Sequence, residues 1–283
     1  MSREAVEAFF EDRALSRGAA IAFYIMTAFA PVLYITAAVA ASVFGAKVTY
    51  GALSEEIRHV IGPGAGKLVH AALQNTLGSG AGFWPNVFGA VLVIVTASGV
   101  FGEIQATLND FWKAAPRFSV VALVRTRLIS LALVLVLGFL LMISLVLNAA
   151  ITAFGMRIQD VVPIGPGLVW SVNFIASFVL VAVLFAAIYK VVPDVELVWG
   201  DVIAGALVTA LLFEAGEYLI GLYLSTTSVG SRYGTAGSLF VLLIWIYYTT
   251  QVFLLGAEFT KVYSLRHGSR AHEAHPVPAA ATS

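Results

Sequence analysis

Two glutamates three residues apart, Glu214 and Glu217, lie inside a long apolar run. Helical spacing places both carboxyl groups on one face. In a medium of low dielectric two neighbouring carboxylates do not both ionise easily, so the pair is suited to carry a proton or to recognise a cationic or hydroxyl-rich group. A charged residue at mid-bilayer costs about 3 kcal/mol on insertion scales, and such residues usually serve a function. The alternative is a polar helix contact, in which a Ser, Thr or Tyr of another helix satisfies these acids.

Two other stretches supply the remaining polar candidates. Gln251 and Glu258 are seven residues apart and share a face of the last apolar run, where Lys261 follows Glu258 by about one turn and can pair with it. Snorkelling of this charged end to the membrane surface is the alternative. In the segment after the second apolar run, Glu103 and Asn109 lie on opposite faces of a predicted helix. The candidate residues for a substrate or proton path are therefore Glu214, Glu217, Glu258, Gln251, Glu103 and Asn109.

The sequence lacks the residue sets that common hydrolytic and nucleotide-binding sites need. It has no cysteine, and all five histidines lie outside the apolar runs, so no thiolate nucleophile or histidine base is expected within them. It has no Gly-x-Ser-x-Gly elbow, and the glycine-rich stretch 62–67 is followed by leucine where a phosphate loop needs Ser or Thr. We therefore expect no enzyme activity, no metal and no cofactor. A net charge of zero gives no global field that would attract nucleic acid.

The composition places these residues in a membrane protein. Hydrophobic residues make up 60% of the 283-residue chain and charged residues 11%, and the mean hydropathy is +0.92. A soluble domain is about 25% charged, so this chain has too little polar surface to cover a water-facing globule. Six apolar runs can each cross a hydrocarbon core of about 30 Å as a helix, namely 19–44, 83–101, 128–154, 168–189, 202–224 and 237–263. The predicted fold is an all-α polytopic membrane protein with six transmembrane helices.

The distribution of basic residues orients these spans. With both termini in the cytoplasm, eleven of the 16 Lys and Arg residues lie on the inner side, as the positive-inside rule requires. The six-span domain, 19–263, then lies between a cytoplasmic amphipathic N-terminus, 1–18, and a disordered cytoplasmic tail, 264–283. Helical spacing in the outer loop, 45–82, predicts two short amphipathic helices that serve as a lid, a lipid contact or plain packing.

The N-terminal segment allows two interpretations. Its apolar residues Val6, Phe9, Phe10 and Leu15 can rest on lipid while the charged residues face water. The alternative, which we favour, is an ordinary helix that leads into the first span.

Several motifs resemble those of the YihY/BrkB family of membrane proteins over about residues 15–263. The matching stretches are 18–24 (GAAIAFY), 98–109 (SGVFGEIQATLN), 189–195 (YKVVPDV), 205–207 (GAL), 233–238 (YGTAGS), 243–248 (LIWIYY) and 255–260 (LGAEFT). The resemblance implies a six-span protein of the bacterial cytoplasmic (inner) membrane. Members of that family are linked to serum resistance and virulence, and to export of lipid or lipopolysaccharide precursors. The family's former ribonuclease BN label is regarded as a misassignment, and the resemblance supplies no catalytic residues.

Three functions follow as hypotheses. The first is a transporter-like protein for a lipid or amphiphilic envelope molecule, such as a lipopolysaccharide precursor, with Glu214 and Glu217 lining the path. The second is a structural or partner-binding envelope protein that uses the outer loop and the 102–109 face. The third is a membrane enzyme, either a ribonuclease or a lipid hydrolase. Membrane lipids are the expected partners, nucleic acid is not, and the formation of oligomers stays open.

Overall fold

The computed structural model describes residues 1–45, 49–51, 53–54, 83–114, 166–226 and 234–270. Within these ranges every regular element is a helix, in agreement with the predicted all-α class. The long helices and the N-terminal one are α1 (Ser2–Glu11), α2 (Ala14–Phe44), α3 (Phe83–Phe111), α4 (Pro166–Val191), α5 (Trp199–Thr226) and α6 (Gly234–Arg266).

Three of these helices are long and apolar enough to cross a bilayer. The segments are Phe174–Val191 of α4, Trp199–Ile220 of α5 and Leu239–Arg266 of α6, and α2 adds a shorter apolar stretch, Ala14–Phe29. The predicted third span, 128–154, and most of the predicted outer-loop helices lie outside the described residues. The number of six spans therefore stays a prediction, whereas the long apolar helices themselves are present.

The outward faces of these helices are apolar. On α5 the side chains of Ile203, Leu207 and Leu211 are exposed along one stripe at a spacing of four residues, while Val202, Ala206 and Ala210 are buried. Exposed apolar stripes of this length are unfavourable in water and are covered by acyl chains in a bilayer. The helices are thus apolar towards their surroundings as well as in their core.

Helix contacts place the described helices in one order. Helix α4 packs on α5, α5 on α6, α6 on α2 and α2 on α3, while α1 packs mainly on α6. One apolar core runs through this arrangement and includes Phe101 and Leu108 of α3, Phe185 of α4 and Leu254 of α6. Because α1 lies beside the last turns of α6, the N-terminus and the end of α6 share one end of the bundle, which we call the terminal end.

Glycine and threonine fit together where α5 meets α6. Gly205 of α5 faces Thr260 of α6, and Gly256 of α6 faces Thr209 of α5, so a Cβ atom at either glycine would overlap a threonine side chain. Each threonine hydroxyl donates a hydrogen bond of 2.7 Å to a backbone carbonyl of its own helix. These small residues therefore allow close packing of α5 and α6 and bring the two backbones together without unpaired threonine hydroxyl groups.

Tyr189 joins three helices in the buried core. Its hydroxyl donates a 2.6 Å hydrogen bond to the carbonyl oxygen of Phe253 on α6 and lies 2.9 Å from the hydroxyl of Thr209 on α5. The Tyr189 ring stacks on Phe253 with 5.2 Å between ring centroids and continues into Phe185. A phenol is well suited to this position, because its ring packs in apolar surroundings while its hydroxyl binds to a neighbouring backbone.

The N-terminal segment forms a helix separate from the first span. Arg13 has a left-handed backbone conformation, with φ of 53°. This residue interrupts the helical backbone between the end of α1 and the start of α2 at Ala14. Phe9 is 6% exposed and belongs to the core, whereas Phe10 is 61% exposed. The expectation that Phe9 rests on lipid is therefore wrong, because α1 turns that side of the helix towards the bundle, and Val6, Phe10 and Leu15 remain exposed.

The chain stays attached to the bundle after α6. The backbone amide and the hydroxyl of Ser269 donate hydrogen bonds of 3.1 and 2.7 Å to Oδ2 of the buried Asp201. Asp201 lies in the first turn of α5, where a carboxylate also interacts favourably with the helix dipole. Of the predicted disordered tail, residues 271–283 lie outside the described residues.

Candidate functional site

Glu214 lies close to the middle of α5, at its contact with α4. Its Oε1 accepts a 2.9 Å hydrogen bond from the hydroxyl of Ser177 on α4. The Glu214 side chain is half-buried, as is that of Glu217 one turn further, so neither carboxylate is enclosed in the helix interface. The serine satisfies one carboxylate oxygen, as the helix-contact alternative requires, but the side chain keeps an open side.

A second group of charges is buried at the terminal end. Glu258 of α6 is 0% exposed, and its Oε2 lies 3.1 Å from Nζ of Lys261, which confirms the contact expected from their spacing. The same ammonium lies 2.7 Å from Oδ2 of Asp12, in the break between α1 and α2. One ammonium therefore serves two carboxylates, and the ring of Phe111 lies 5.9 Å from it on α3.

Asp12 is the member of this group that joins α1 to α6. Burial raises the pKa of its carboxyl group, but the hydrogen bond and the positive charge of Lys261 act in the opposite direction and outweigh burial. The pKa of Asp12 consequently lies below its usual value of 3.8. Asp12 is ionised at neutral pH and stabilises the position of α1 on the bundle.

Further ion pairs hold the same end together. Arg266, at the end of α6, pairs with Glu4 of α1, and Arg17 of α2 pairs with Asp110 of α3. These pairs are more exposed than the Asp12–Lys261 contact, and exposed ion pairs contribute little, about 0–1 kcal/mol each. Their value here is geometric, because they fix which turns of α1 and α6, and of α2 and α3, lie side by side.

Gln251 contacts the start of the first span. Its Nε2 donates a 3.3 Å hydrogen bond to the carbonyl oxygen of Leu15, and its side chain packs where a Cβ on Gly18 would overlap it. The buried Oε1 of Gln251 has no hydrogen-bond partner within the described residues. The structure thus places Gln251 and Glu258 on the same helix but assigns them to different contacts.

Asn109 is used within the chain. Its Nδ2 donates a 2.8 Å hydrogen bond to Oδ2 of Asp194, and its Oδ1 accepts one of 2.8 Å from the backbone amide of Asp194. Gln105 adds a longer bond of 3.2 Å to the same carboxylate. This contact attaches the end of α3 to the turn between α4 and α5. Glu103, on another face of α3, is half-buried.

The structure therefore groups the six candidate residues differently from the sequence. Glu214 and Glu217 are in the α4–α5 region, Gln251 and Glu258 in the packing of α6 against α1 and α2, and Asn109 in a contact with Asp194. Ser177 and Asp194 are partners that sequence reasoning did not select as site residues, and so is Asp12, which shares Lys261 with Glu258. Among the described residues, no group of three or more His, Asp or Glu is placed to hold a metal ion.

Long apolar helices with apolar outward faces define the described part of this chain as a multi-helix membrane protein. The chain belongs to the YihY/BrkB family, since residues 5–280 match the family model described as Virulence factor BrkB. The family resemblance found in the sequence motifs is confirmed.

Curated relatives carry the name UPF0761 membrane protein. The one from Rhodospirillum centenum is 26% identical over 91% of this chain and 56% of its own length. One from Legionella pneumophila is 26% identical over 95% of this chain and 63% of its own length. One from Klebsiella pneumoniae is 27% identical over 75% of this chain and 72% of its own length. The chain thus spans little more than half the length of the first of these relatives. No solved structure matches the chain.

Proposed function

We propose that the chain is a transport protein of the bacterial cytoplasmic membrane that moves a lipid or another amphiphilic envelope molecule. The proposal places both termini in the cytoplasm and assigns the chain no catalytic chemistry. With no nucleotide-binding motif in the sequence, movement is passive, coupled to an ion or driven by a partner.

The observation that carries the proposal is the half-buried carboxylate of Glu214. An ionised group near mid-bilayer that faced only acyl chains would cost about 3 kcal/mol on insertion scales. Within the described residues, the hydrogen bond from Ser177 satisfies one carboxylate oxygen, and the second is left to be solvated by something else. A polar headgroup, water or a proton beside Glu214 meets this need, whereas a sealed packing role does not require an open side.

A lipid-translocation assay in liposomes tests this function. Purified protein is reconstituted with a trace of fluorescent phosphatidylethanolamine, and dithionite then bleaches the label that reaches the outer leaflet. Active protein raises the bleached fraction well above the half that lies outside in protein-free vesicles. We expect Glu214→Gln to slow this loss by about tenfold or more, equivalent to about 1.4 kcal/mol in the barrier.

The matched control is Glu196→Gln, the same chemical change at an exposed acid in the turn before α5. It should leave translocation unchanged. Equal rates for the parent, Glu214→Gln and Glu196→Gln proteins would reject a role for Glu214, and rates equal to those of empty liposomes for the parent would argue against passive lipid transport.

The partner-binding alternative uses the outer loop, most of which lies outside the described residues, and the 102–109 face of α3. Gln105 and Asn109 on that segment already bind Asp194. A partner would have to replace these hydrogen bonds, so this face supports partner binding less well than the sequence pattern indicates.

A further inference from the structure

Helix α1 presents an apolar face that the bundle does not cover. Phe10 is 61% and Val6 43% exposed, while Ala5 and Phe9 on the adjacent side of the helix are buried. Val6 and Phe10 are four residues apart and so lie on one face of the helix. Arg3, seven residues before Phe10, lies on the same face with a side chain that is 91% exposed.

Two ion pairs fix the level of α1 along α6. Glu4 is level with Arg266 and Asp12 with Lys261, so α1 descends towards the membrane as the chain proceeds. The apolar segment of α6 is 28 residues long. At 1.5 Å per residue it measures about 42 Å, against a hydrocarbon core of about 30 Å, so its end extends into the headgroup region. Phe10 is consequently nearer than Val6 to the apolar part of α6.

The lipid-facing surface of the first span continues from this position. Leu15, Ala19 and Phe23 are exposed at a spacing of four residues along α2, and Leu15 is only five residues after Phe10. We infer that α1 is an interfacial helix whose Val6–Phe10 face inserts into the inner-leaflet lipid surface while its Ala5–Phe9 face packs on the bundle. The exposed charges on α1 and its end are balanced, with Arg3 and Arg13 against Glu7 and Glu11, so insertion does not depend on anionic lipid.

The absence of cysteine from the sequence permits a direct test. A nitroxide is attached to Phe10→Cys in the full-length protein, reconstituted in phosphatidylcholine vesicles with and without phosphatidylglycerol. Collision with oxygen reports lipid, and collision with a water-soluble nickel chelate reports water. We expect high oxygen and low nickel accessibility at Phe10→Cys in both vesicles, and the reverse at the control Glu11→Cys on the polar side of α1.

Two outcomes would overturn the inference. Nickel accessibility at Phe10→Cys equal to that of Glu11→Cys would place this face in water. Low accessibility to both reagents would mean that protein covers it, either a second copy or another segment. Val6→Cys repeats the test at a shallower position, with lower oxygen accessibility than Phe10→Cys, in case the first variant does not fold.

Discussion

Lys261 determines the charge balance of the terminal end. Its ammonium contacts the fully buried Glu258 and the half-buried Asp12. Removing one partner of a buried ion pair costs about 3–5 kcal/mol, whereas removing both partners is often neutral. Loss of Lys261 therefore removes the ion-pair partner of both acids, whereas loss of either acid leaves Lys261 paired with the other.

We expect Lys261→Met to lower the free energy of unfolding by about 3 kcal/mol, measured by thermal or denaturant unfolding in detergent micelles. The double variant Lys261→Met with Glu258→Gln should recover most of this loss, because no unpaired acid then remains buried on α6. Equal stability of the single and double variants would show that Glu258 is not the group left uncompensated.

Asp12 makes the same contact sensitive to pH. Its pKa is lower in the folded protein than the usual 3.8, so its ionised form favours folding. That contribution is fully present above the usual pKa and is lost as the pH falls through the lower pKa of the folded state. We expect the stability difference between the parent and Asp12→Asn to be constant from neutral pH to about pH 5 and to shrink on further acidification.

The control for this titration is Glu11→Gln, which changes a neighbouring exposed acid in the same way. Its stability should follow the parent throughout. A parent–Asp12→Asn difference that stays constant down to strongly acidic pH would contradict the assigned ion pair.

At the scale of helices, the α5–α6 contact is set by small residues. Gly256 faces both Thr209 and the hydroxyl of Tyr189, so even a methyl group would displace the three-helix contact around that phenol. A helical glycine costs up to about 1 kcal/mol relative to alanine, so the same substitution in open space is favourable. Whether a Gly→Ala substitution raises or lowers the stability therefore shows whether the glycine is closely packed.

We expect Gly256→Ala to lower the unfolding temperature in detergent, as overpacking typically costs about 1–3 kcal/mol. Gly102→Ala on α3 is the matched control, because no atom lies within 4 Å of a Cβ built there. It should be neutral or slightly stabilising. A neutral result at Gly256 would mean that α5 and α6 are further apart than the structure places them.

The positions of the long helices were the most predictable feature of this fold. Long apolar runs predicted α2, α4, α5 and α6 because a backbone in lipid must satisfy its own hydrogen bonds. The local pair Glu258–Lys261 was predictable because one helical turn separates the two residues. The Asp12–Lys261 contact was not, because its members are 249 positions apart in the sequence and no local pattern relates them. Local sequence also could not tell the buried Phe9 from the exposed Phe10, because their burial depends on how α1 packs on helices that are distant in the sequence.

At the scale of the molecule, the ion pairs of the described residues concentrate at one end, and the outward faces of the described helices are apolar. The terminal end holds the ion pairs that join α1, α2, α3 and α6. Near the middle of α5, the half-buried Glu214 departs from this distribution. The central claim of the proposed function is that Glu214 faces a polar path through the bilayer rather than lipid or a sealed contact.

Labelling of single cysteines with a membrane-impermeant thiol reagent tests that claim most directly. Glu214→Cys, and Ser177→Cys on the facing helix, should react in intact proteoliposomes, whereas Leu211→Cys on the exposed stripe of α5 should not, because a thiol in acyl chains is not reached from water. Reaction at positions 214 and 177 without reaction at 211 is the result expected for a polar path, and three unreactive positions would contradict it.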